Sequence, residues 1–261
     1  MEIKNHYDVA IVGGGPGGLM AAWRLSQRDP ALSIALFEKG NPLEKRICPI
    51  IKKTAKACVH CKSCAIMEGM AGAGAFSDGK YVISTEYGGW LTEFLPDEVV
   101  MDYIEQADRI LVHFGATTER FLPSDELKKR CLEFDLHMSQ AQLKHLGTDA
   151  NFDTMGRLIH ALEERVELHA NANVTGLDRA THALTIHSGG RDHTCTADRI
   201  IIAVGRAGSS FFSAWCEENR IPLHNNQVDI GVRVELPAMV WEDFAKKSYE
   251  PKIWYRSKRY G

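Results

Sequence analysis

Apolar residues along the chain form short buried runs and longer amphipathic stretches, in an order typical of α/β proteins. The run YDVAIV at 7–12 predicts a buried strand, and LSIALFEKG at 32–40 predicts a second one. Between them, the apolar residues of LMAAWRLSQR are spaced for one face of a helix that we place at 16–28. A strand, a helix and a strand within about thirty residues predict a βαβ unit.

Two further helices and a β-rich region follow. Amphipathic spacing with start and stop signals predicts helices at 96–115 and 153–166. From residue 167 the apolar positions alternate, which predicts a three-stranded meander over 167–197. The remaining predicted elements are a buried strand at 199–205, a helix around 209–219 and an alternating strand at 227–237.

Two segments lack such a pattern. Residues 40–90 are predicted to be mostly irregular, and residues 116–150 are polar and ambiguous. A long irregular segment inside a compact domain is commonly functional, so we expect the first of these segments to contribute to a site.

A glycine-rich turn lies between the first strand and its helix. The sequence GGGPGG matches the pattern G-x-G-x-x-G, in which Gly13 permits a tight turn and Gly15 lets the backbone approach a pyrophosphate. Gly18 allows the helix and the strand to pack closely. Free N–H groups and the positive end of the helix then face the phosphates. The loop therefore predicts a dinucleotide site formed by Gly13, Gly14, Gly15, Pro16, Gly17 and Gly18, with an unliganded turn as the alternative.

An acidic residue ends the second predicted strand, about twenty positions beyond the last glycine. Glu38 is placed to accept hydrogen bonds from the ribose hydroxyls of an adenosine, and Lys39 joins it in the predicted cofactor-binding set. A carboxylate at this point repels a 2′-phosphate, which argues against NADP in this loop.

Four cysteines follow the pattern C-x9-C-x2-C-x2-C, at Cys48, Cys58, Cys61 and Cys64. Three thiols at this close spacing with one more distant thiol are how a loop wraps a [4Fe–4S] cluster. The same thiolates are suited to tetrahedral zinc, and a CxxC pair is suited to thiol redox chemistry. These roles, and a loop without a special role, stay open at this point.

Composition narrows the class of protein and its compartment. The 261 residues are 44% hydrophobic and 25% charged with a formal net charge of -3, which is ordinary for a globular protein and gives no support for nucleic-acid binding. No run reaches the roughly 18 apolar residues of a membrane helix, and the start does not resemble a signal peptide. We therefore expect a cytoplasmic protein whose partner is a small-molecule substrate or a redox partner, without nucleic-acid or membrane partners.

The whole pattern resembles the FAD-binding flavoproteins of the glutathione-reductase structural class. The resemblance rests on the meander in place of a crossover helix, and on a late strand that begins near Thr196 and ends at Gly205. It implies FAD as the cofactor, with the backbone of Val174 near the adenine and Gly205 near the cofactor. The implied fold class is α/β, a Rossmann-like FAD-binding domain with a three-stranded β-meander, plus part of an inserted second α+β domain.

A narrower resemblance rests on the motifs RICP, CVHCKSC and GMAGAGAFSDGK, the last of which covers 69–80. With them the chain resembles a family of bacterial FAD-dependent dehydrogenases, also called NAD(P)/FAD-dependent oxidoreductases. Known members run beyond residue 261 and carry a C-terminal Gly-Asp element at the flavin, so we expect an N-terminal fragment. Small residues in 69–80 let the backbone approach a flat ligand, and we expect N–H groups at the flavin ring edge from Gly74, Ala75, Phe76 and Ser77.

Together these features predict an FAD-dependent oxidoreductase that moves hydride or electrons between FAD and an unknown substrate. An iron–sulfur centre on the four cysteines and NAD(P)H as electron donor are further expectations, and no catalytic residue is assigned. The alternatives are a geranylgeranyl-reductase-like or thiazole-synthase-like flavoprotein, and a non-catalytic zinc-stapled nucleotide-binding module. We expect the FAD-binding domain at 1–90 and 153–212 with its Cys-rich loop at 46–64, and a partial substrate or cap domain at 91–152 and 213–261.

Overall fold

The computed structural model describes residues 2–225, 228, 230–248 and 250–259. The α-helices are α1 (Pro16–Arg28), α2 (Asp97–His113), α3 (Asp125–Leu132), α4 (Thr148–Glu163), α5 (Ser209–Glu218) and α6 (Ala238–Lys247). The strands are β1 (His6–Val12), β2 (Ile34–Phe37), β3 (Lys80–Ile83), β4 (His137–Met138), β5 (Gln142–His145), β6 (Glu167–His169), β7 (Asn173–Leu177), β8 (Ala183–Ser188), β9 (Arg191–Ile202) and β10 (Ile253–Trp254).

Contacts between Cα atoms divide the chain into two compact units. The first unit comprises Met1–Ser77 and Thr148–Asn225, and the second comprises Asp78–Gly147 and Asn226–Gly261. Residues Asp78–Gly147 lie in the chain between the two stretches of the first unit, so they are an insertion within it. The domain limits expected from the sequence stay a prediction.

The first unit is built on a six-stranded sheet in the order β6-β2-β1-β9-β8-β7. Strand β1 lies parallel to β2 and β9, and β2 lies parallel to β6. Tyr7, Ala10 and Ile11 of β1 are fully buried. A strand covered on both faces has a continuous apolar run rather than an alternating one, and this is the pattern of YDVAIV. The predicted βαβ unit is therefore confirmed.

One long strand joins the parallel part of this sheet to the meander. The first half of β9 pairs antiparallel with β8, and its second half pairs parallel with β1, as far as Val12 beside Ile202. The sequence predicted two separate strands here, which is wrong. The predicted meander over 167–197 also starts too early, because β6 pairs with β2 and the chain then turns through Asn171 at φ 54° before β7 begins.

Helices α1 and α4 pack against each other and supply buried apolar side chains to the first unit. Two members of the predicted stripe, Leu158 and Leu162, are fully buried on α4, while Val166 is 3% exposed and lies beyond the end of the helix at Glu163. The helix begins at Thr148, earlier than the predicted start. The apolar spacing is regular only in the later turns of α4. The pattern therefore predicts the buried face of the helix better than it predicts where the helix begins.

The second unit is a small α+β structure. It contains α2, α3 and α6 with two antiparallel pairs, β3 with β5 and β4 with β10. Its interior includes a charged cluster, in which Lys144 Nζ lies 2.7 Å from Asp108 Oδ1. Arg120 donates hydrogen bonds to both carboxylate oxygens of Glu105, at 2.7 and 2.6 Å, and to Asp108 at 3.0 Å. This cluster ties α2 to the 120–144 segment, whose structure the sequence left ambiguous.

The predicted strand at 227–237 is wrong for the residues that the structure describes there. Residues 228 and 230–237 are irregular, while 227 and 229 lie outside the described residues. Ile230 and Val232 are 94% and 89% exposed. A strand requires a neighbour for its N–H and C=O groups, and none pairs with this segment within the described ranges. In those same ranges, no helix is long and apolar enough to cross a membrane.

We expect Asp108→Asn to lower the free energy of unfolding by about 3 kcal/mol, because it leaves the buried Lys144 without its counter-charge. The matched control is Asp102→Asn on the same helix, where the carboxylate is 61% exposed and lies 3.9 Å from Arg109. An exposed pair of this kind contributes less than about 1 kcal/mol. Urea unfolding curves measure both variants. Equal losses in the two variants would contradict the assignment of Asp108–Lys144 as the stabilising pair.

A buried imidazole in the first unit predicts acid sensitivity. His169 is 7% exposed and stacks on Phe37 at 5.1 Å between ring centroids. Burial lowers the pKa of His169, and the nearby Glu167 offsets this only in part. The unfolded chain therefore binds this proton more readily than the folded protein, and stability falls as the pH drops below about 6.5.

His169→Phe is expected to flatten this pH dependence. The measurement is the midpoint of urea unfolding between about pH 7 and pH 5, the range in which a histidine titrates. His160→Phe is the control, because His160 is on the surface of α4 with its side chain 84% exposed. An unchanged slope in the His169 variant would refute the assignment.

Candidate functional site

A cavity of about 1050 Å³ opens at the carboxyl ends of the parallel strands in the first unit. Val12 at the end of β1, Phe37 at the end of β2 and Ala203 just beyond β9 all contribute to its wall. Open α/β sheets bind ligands at this edge, where the crossovers leave a crevice between neighbouring strands. The volume is at the upper end of those of ligand pockets, which suits an extended ligand.

The glycine loop forms one wall of the cavity, and two of its glycines are needed for close packing. Gly13 has φ +109°, and a Cβ atom there would overlap the carbonyl oxygen of Ala203. A Cβ atom at Gly18 would overlap the carbonyl oxygen of Gly13. These contacts hold the start of α1 against the strand ends, as the motif predicts.

Gly15 has a different environment from those two glycines. A Cβ atom at Gly15 would meet only the Cα of Gly72, at 3.9 Å, and Gly15 lines the cavity together with Gly13, Pro16 and Gly17. It is also the N-cap of α1, which has no side-chain cap and no acidic residue in its first turn. The positive end of the helix is therefore left for the negative charge of a ligand.

Glu38 lines the cavity, and its carboxylate is bound by three main-chain N–H groups. Gly14 donates to Oε2 at 2.7 Å, while Gly40 and Gly69 donate to Oε1 at 2.8 and 2.9 Å. A carboxylate has about four lone-pair sites, so about one remains for a ribose hydroxyl. The sequence predicted the ribose contact and missed the role of Glu38 in joining these segments.

Lys39 forms a bridge between two parts of the cavity wall. Its Nζ lies 2.9 Å from Glu68 Oε1 and donates to the carbonyl oxygen of Ala207 at 3.2 Å. Burial alone would raise the pKa of Glu68, but hydrogen bonds from Lys39 and Ser63 outweigh it and hold the pKa below its usual value. Glu68 is a cavity residue that the sequence interpretation missed.

The positions implied for the adenine and the late strand also reach the cavity. Val174 on β7 lines it between Asn173 and Thr175. Gly205 lines it with φ +58°, directly before a short 3₁₀ turn at Arg206–Gly208. The structure therefore brings Glu38, Lys39, Val174 and Gly205 together with the glycine loop around one cavity.

The small-residue run contributes less than the sequence predicted. It forms a 3₁₀ turn at Ala73–Phe76, in which Gly74 lines the cavity and Ala75 is fully buried. The N–H groups of Ala75 and Ser77 donate to the carbonyl oxygens of Gly72 and Gly74, so this turn already uses two of the four predicted donors. Phe76 packs on the ring of Phe152, and Ser77 is exposed.

The four cysteines are free thiols that the structure does not gather into a centre. Cys58 and Cys61 are exposed, and Cys48 and Cys64 are half-buried. Among the described residues, no group of three or more His, Cys, Asp or Glu side chains is arranged to hold a metal ion. The assignment of a metal or an iron–sulfur cluster to these cysteines therefore stays a prediction. Lys62 and Ser63, between two of these cysteines, line the cavity.

Comparison of the sequence with protein families identifies the class of protein. Residues 7–214 match the family described as "Pyridine nucleotide-disulphide oxidoreductase". The chain belongs to this family. The match confirms the predicted fold class, an α/β protein with a Rossmann-like FAD-binding domain. A comparison with curated protein sequences gave no match.

Solved structures that resemble this chain do so at low sequence identity. Glycine oxidase from Geobacillus kaustophilus is 15% identical with a TM-score of 0.46, over 80% of this chain and 59% of that one. L-amino acid deaminase from Proteus vulgaris, with its specific insertion deleted, is 14% identical with a TM-score of 0.48, over 82% of this chain and 57% of that one. The chain thus spans less than two thirds of the length of these structures.

The close packing at the glycine loop predicts opposite responses from two adjacent glycines of α1. Gly18→Ala should lower the free energy of unfolding by about 1–3 kcal/mol, because the new methyl group overlaps the Gly13 carbonyl. Gly17→Ala should be neutral or stabilising, since its Cβ would lie 4.0 Å from Ala203 and alanine favours helix. Thermal unfolding without added ligand measures both. Similar stabilities of the two variants would contradict the packing described.

Proposed function

We propose that this protein is an FAD-dependent oxidoreductase whose cofactor lies in the cavity of the first unit. The observation that carries the proposal is the open space at Gly15, where the uncapped start of α1 meets a large cavity. Membership of the oxidoreductase family supports the same cofactor. The narrower assignment to bacterial FAD-dependent dehydrogenases is part of the proposal.

The cavity residues fit an extended dinucleotide. The N-terminal N–H groups of α1 would hold the pyrophosphate beside Gly15, and the free acceptor site of Glu38 would bind a ribose hydroxyl. The backbone at Val174 would adjoin the adenine, and Gly74 would adjoin the ring system at the other end. When bound, FAD supplies hydride and electron transfer, while the protein orients it.

The substrate and the electron donor are inferred only by class. The substrate is a small molecule or a redox partner, the electron donor is NAD(P)H, and neither a nucleic acid nor a membrane is a partner in this proposal. No metal step is included, because the four cysteines are not arranged around a common centre. The chemistry proposed is therefore that of the flavin alone.

Gly15→Ala tests the cofactor position. The new methyl group has room within the protein but enters the space assigned to the pyrophosphate, so FAD should bind at least about tenfold more weakly with an unchanged unfolding temperature. Gly89→Ala is the control, because a Cβ atom there meets nothing within 4 Å and Gly89 is not a cavity residue in the described chain.

Flavin fluorescence titration of the full chain, with visible spectra of the reconstituted protein, measures both variants against wild type. Wild-type protein that is folded and takes up no FAD would overturn the proposed function. Equal FAD affinity in wild type and in Gly15→Ala would overturn the placement of the cofactor at the glycine loop.

A further inference from the structure

Arg46 is a buried cation whose guanidinium donates hydrogen bonds to main-chain carbonyls of one nearby segment. It is 5% exposed. Nε donates to the carbonyl oxygen of Ala65 at 3.0 Å, and Nη2 donates to that of Ile66 at 2.9 Å. Nη1 donates to Met70 at 2.8 Å and to Gly72 at 2.7 Å. A planar guanidinium with five N–H donors can bind such a set of carbonyls at once, whereas the compact ammonium group of a lysine cannot.

The segment bound by Arg46, residues 65–72, is a wall of the cavity. Met67, Glu68, Gly69 and Gly72 line it. N–H groups of the same segment donate hydrogen bonds to the glycine loop and to Glu38. The N–H of Ala71 donates to the Gly14 carbonyl at 2.8 Å, and the N–H of Gly69 donates to the Glu38 carboxylate. The segment therefore lies between Arg46 and the glycine loop, with hydrogen bonds in both directions.

Packing around the Arg46 side chain fixes its position further. Its guanidinium carbon lies 4.7 Å from the ring centroid of Phe76, at the end of the small-residue turn. A Cβ atom at Gly69 would lie 2.7 Å from Arg46 Cδ, so the segment passes closely over the arginine stem. Arg46 thus contacts both the 65–72 wall and the turn that carries Gly74.

The charge of Arg46 is retained in this environment. Burial lowers the pKa of Arg46, and the negative charge of Glu38 acts in the opposite direction. An arginine remains protonated at neutral pH even when its pKa is lowered. Loss of the guanidinium would remove a donor from four carbonyl groups. The Gly72 carbonyl would keep the N–H of Ala75, while an unsatisfied carbonyl costs free energy in a buried site.

We infer that Arg46 is a positioning residue of the cofactor site, which holds the 65–72 wall at the distance from the glycine loop that FAD requires. The inference rests on the proposed function, and it adds a residue that is not one of the cavity-lining residues in the described chain. Arg46 acts through main-chain atoms of the wall and makes no contact with the cofactor itself.

The first experiment compares FAD affinity in Arg46→Lys and in the control Arg24→Lys, which changes an exposed arginine of α1. Lysine keeps the charge but cannot reach the four carbonyls in one plane. The FAD dissociation constant should rise at least about tenfold in the first variant and stay within about twofold of wild type in the second. Unchanged affinity in a folded Arg46→Lys protein overturns the inference.

The second experiment uses amide hydrogen exchange without FAD, so its outcome is separate from that of the proposed function. In Arg46→Lys the amides of Gly69, Met70, Ala71 and Gly72 should exchange at least about tenfold faster, while those of β1 and β2 stay as in wild type. Wild type that binds no FAD would overturn the proposed function, and this exchange pattern would still test the positioning by Arg46.

Arg46→Gln provides a second variant, which keeps an amide donor and removes the charge. Faster exchange confined to 69–72 in either variant supports positioning. Uniformly faster exchange in both variants, including that of β1, would show that Arg46 stabilises the whole unit, and this outcome overturns the inference.

Discussion

The cavity of the first unit depends on one buried carboxylate that receives three main-chain hydrogen bonds. Glu38 accepts hydrogen bonds from the N–H groups of Gly14 in the glycine loop, Gly40 in the segment after β2 and Gly69 in the cavity wall. These segments are distant in sequence, and a buried carboxylate is stable only when such donors compensate for its lost hydration. Satisfying this one charge therefore brings together the parts of the chain that surround the cavity.

Opposite charges on two sides of the same segment give that wall its shape. Glu38 accepts from the N–H of Gly69, while Arg46 donates to carbonyls on either side of it. Both groups use main-chain atoms, so the wall is held by the backbone and its side chains are left for other contacts. Lys39, with Glu68 and the Ala207 carbonyl, adds a bridge at the cavity surface. The site is thus a set of backbone segments that charged side chains hold in place.

Apolar periodicity predicted the elements of the first unit well and their partners poorly. The strand, helix and strand at the start, α2 and the buried face of α4 agree with prediction, because burial alone sets these patterns. Periodicity does not report which strand lies beside another. For this reason the continuous strand β9 was divided, β6 was assigned to the meander, and the exposed apolar residues near Ile230 were taken for a strand.

The sequence by itself determined the glycine loop, the position of Glu38 directly after β2 and a dinucleotide as the class of ligand, since these follow from local backbone requirements over a short span. Only the tertiary structure decided that the four cysteines are not grouped, that two N–H groups of the small-residue turn are already used, and that Arg46 and Glu38 hold the wall. The partners of Arg46 are main-chain carbonyls 19 to 26 residues away. Because every residue has a main-chain carbonyl, the sequence does not indicate which carbonyls Arg46 binds, and only the fold determines them.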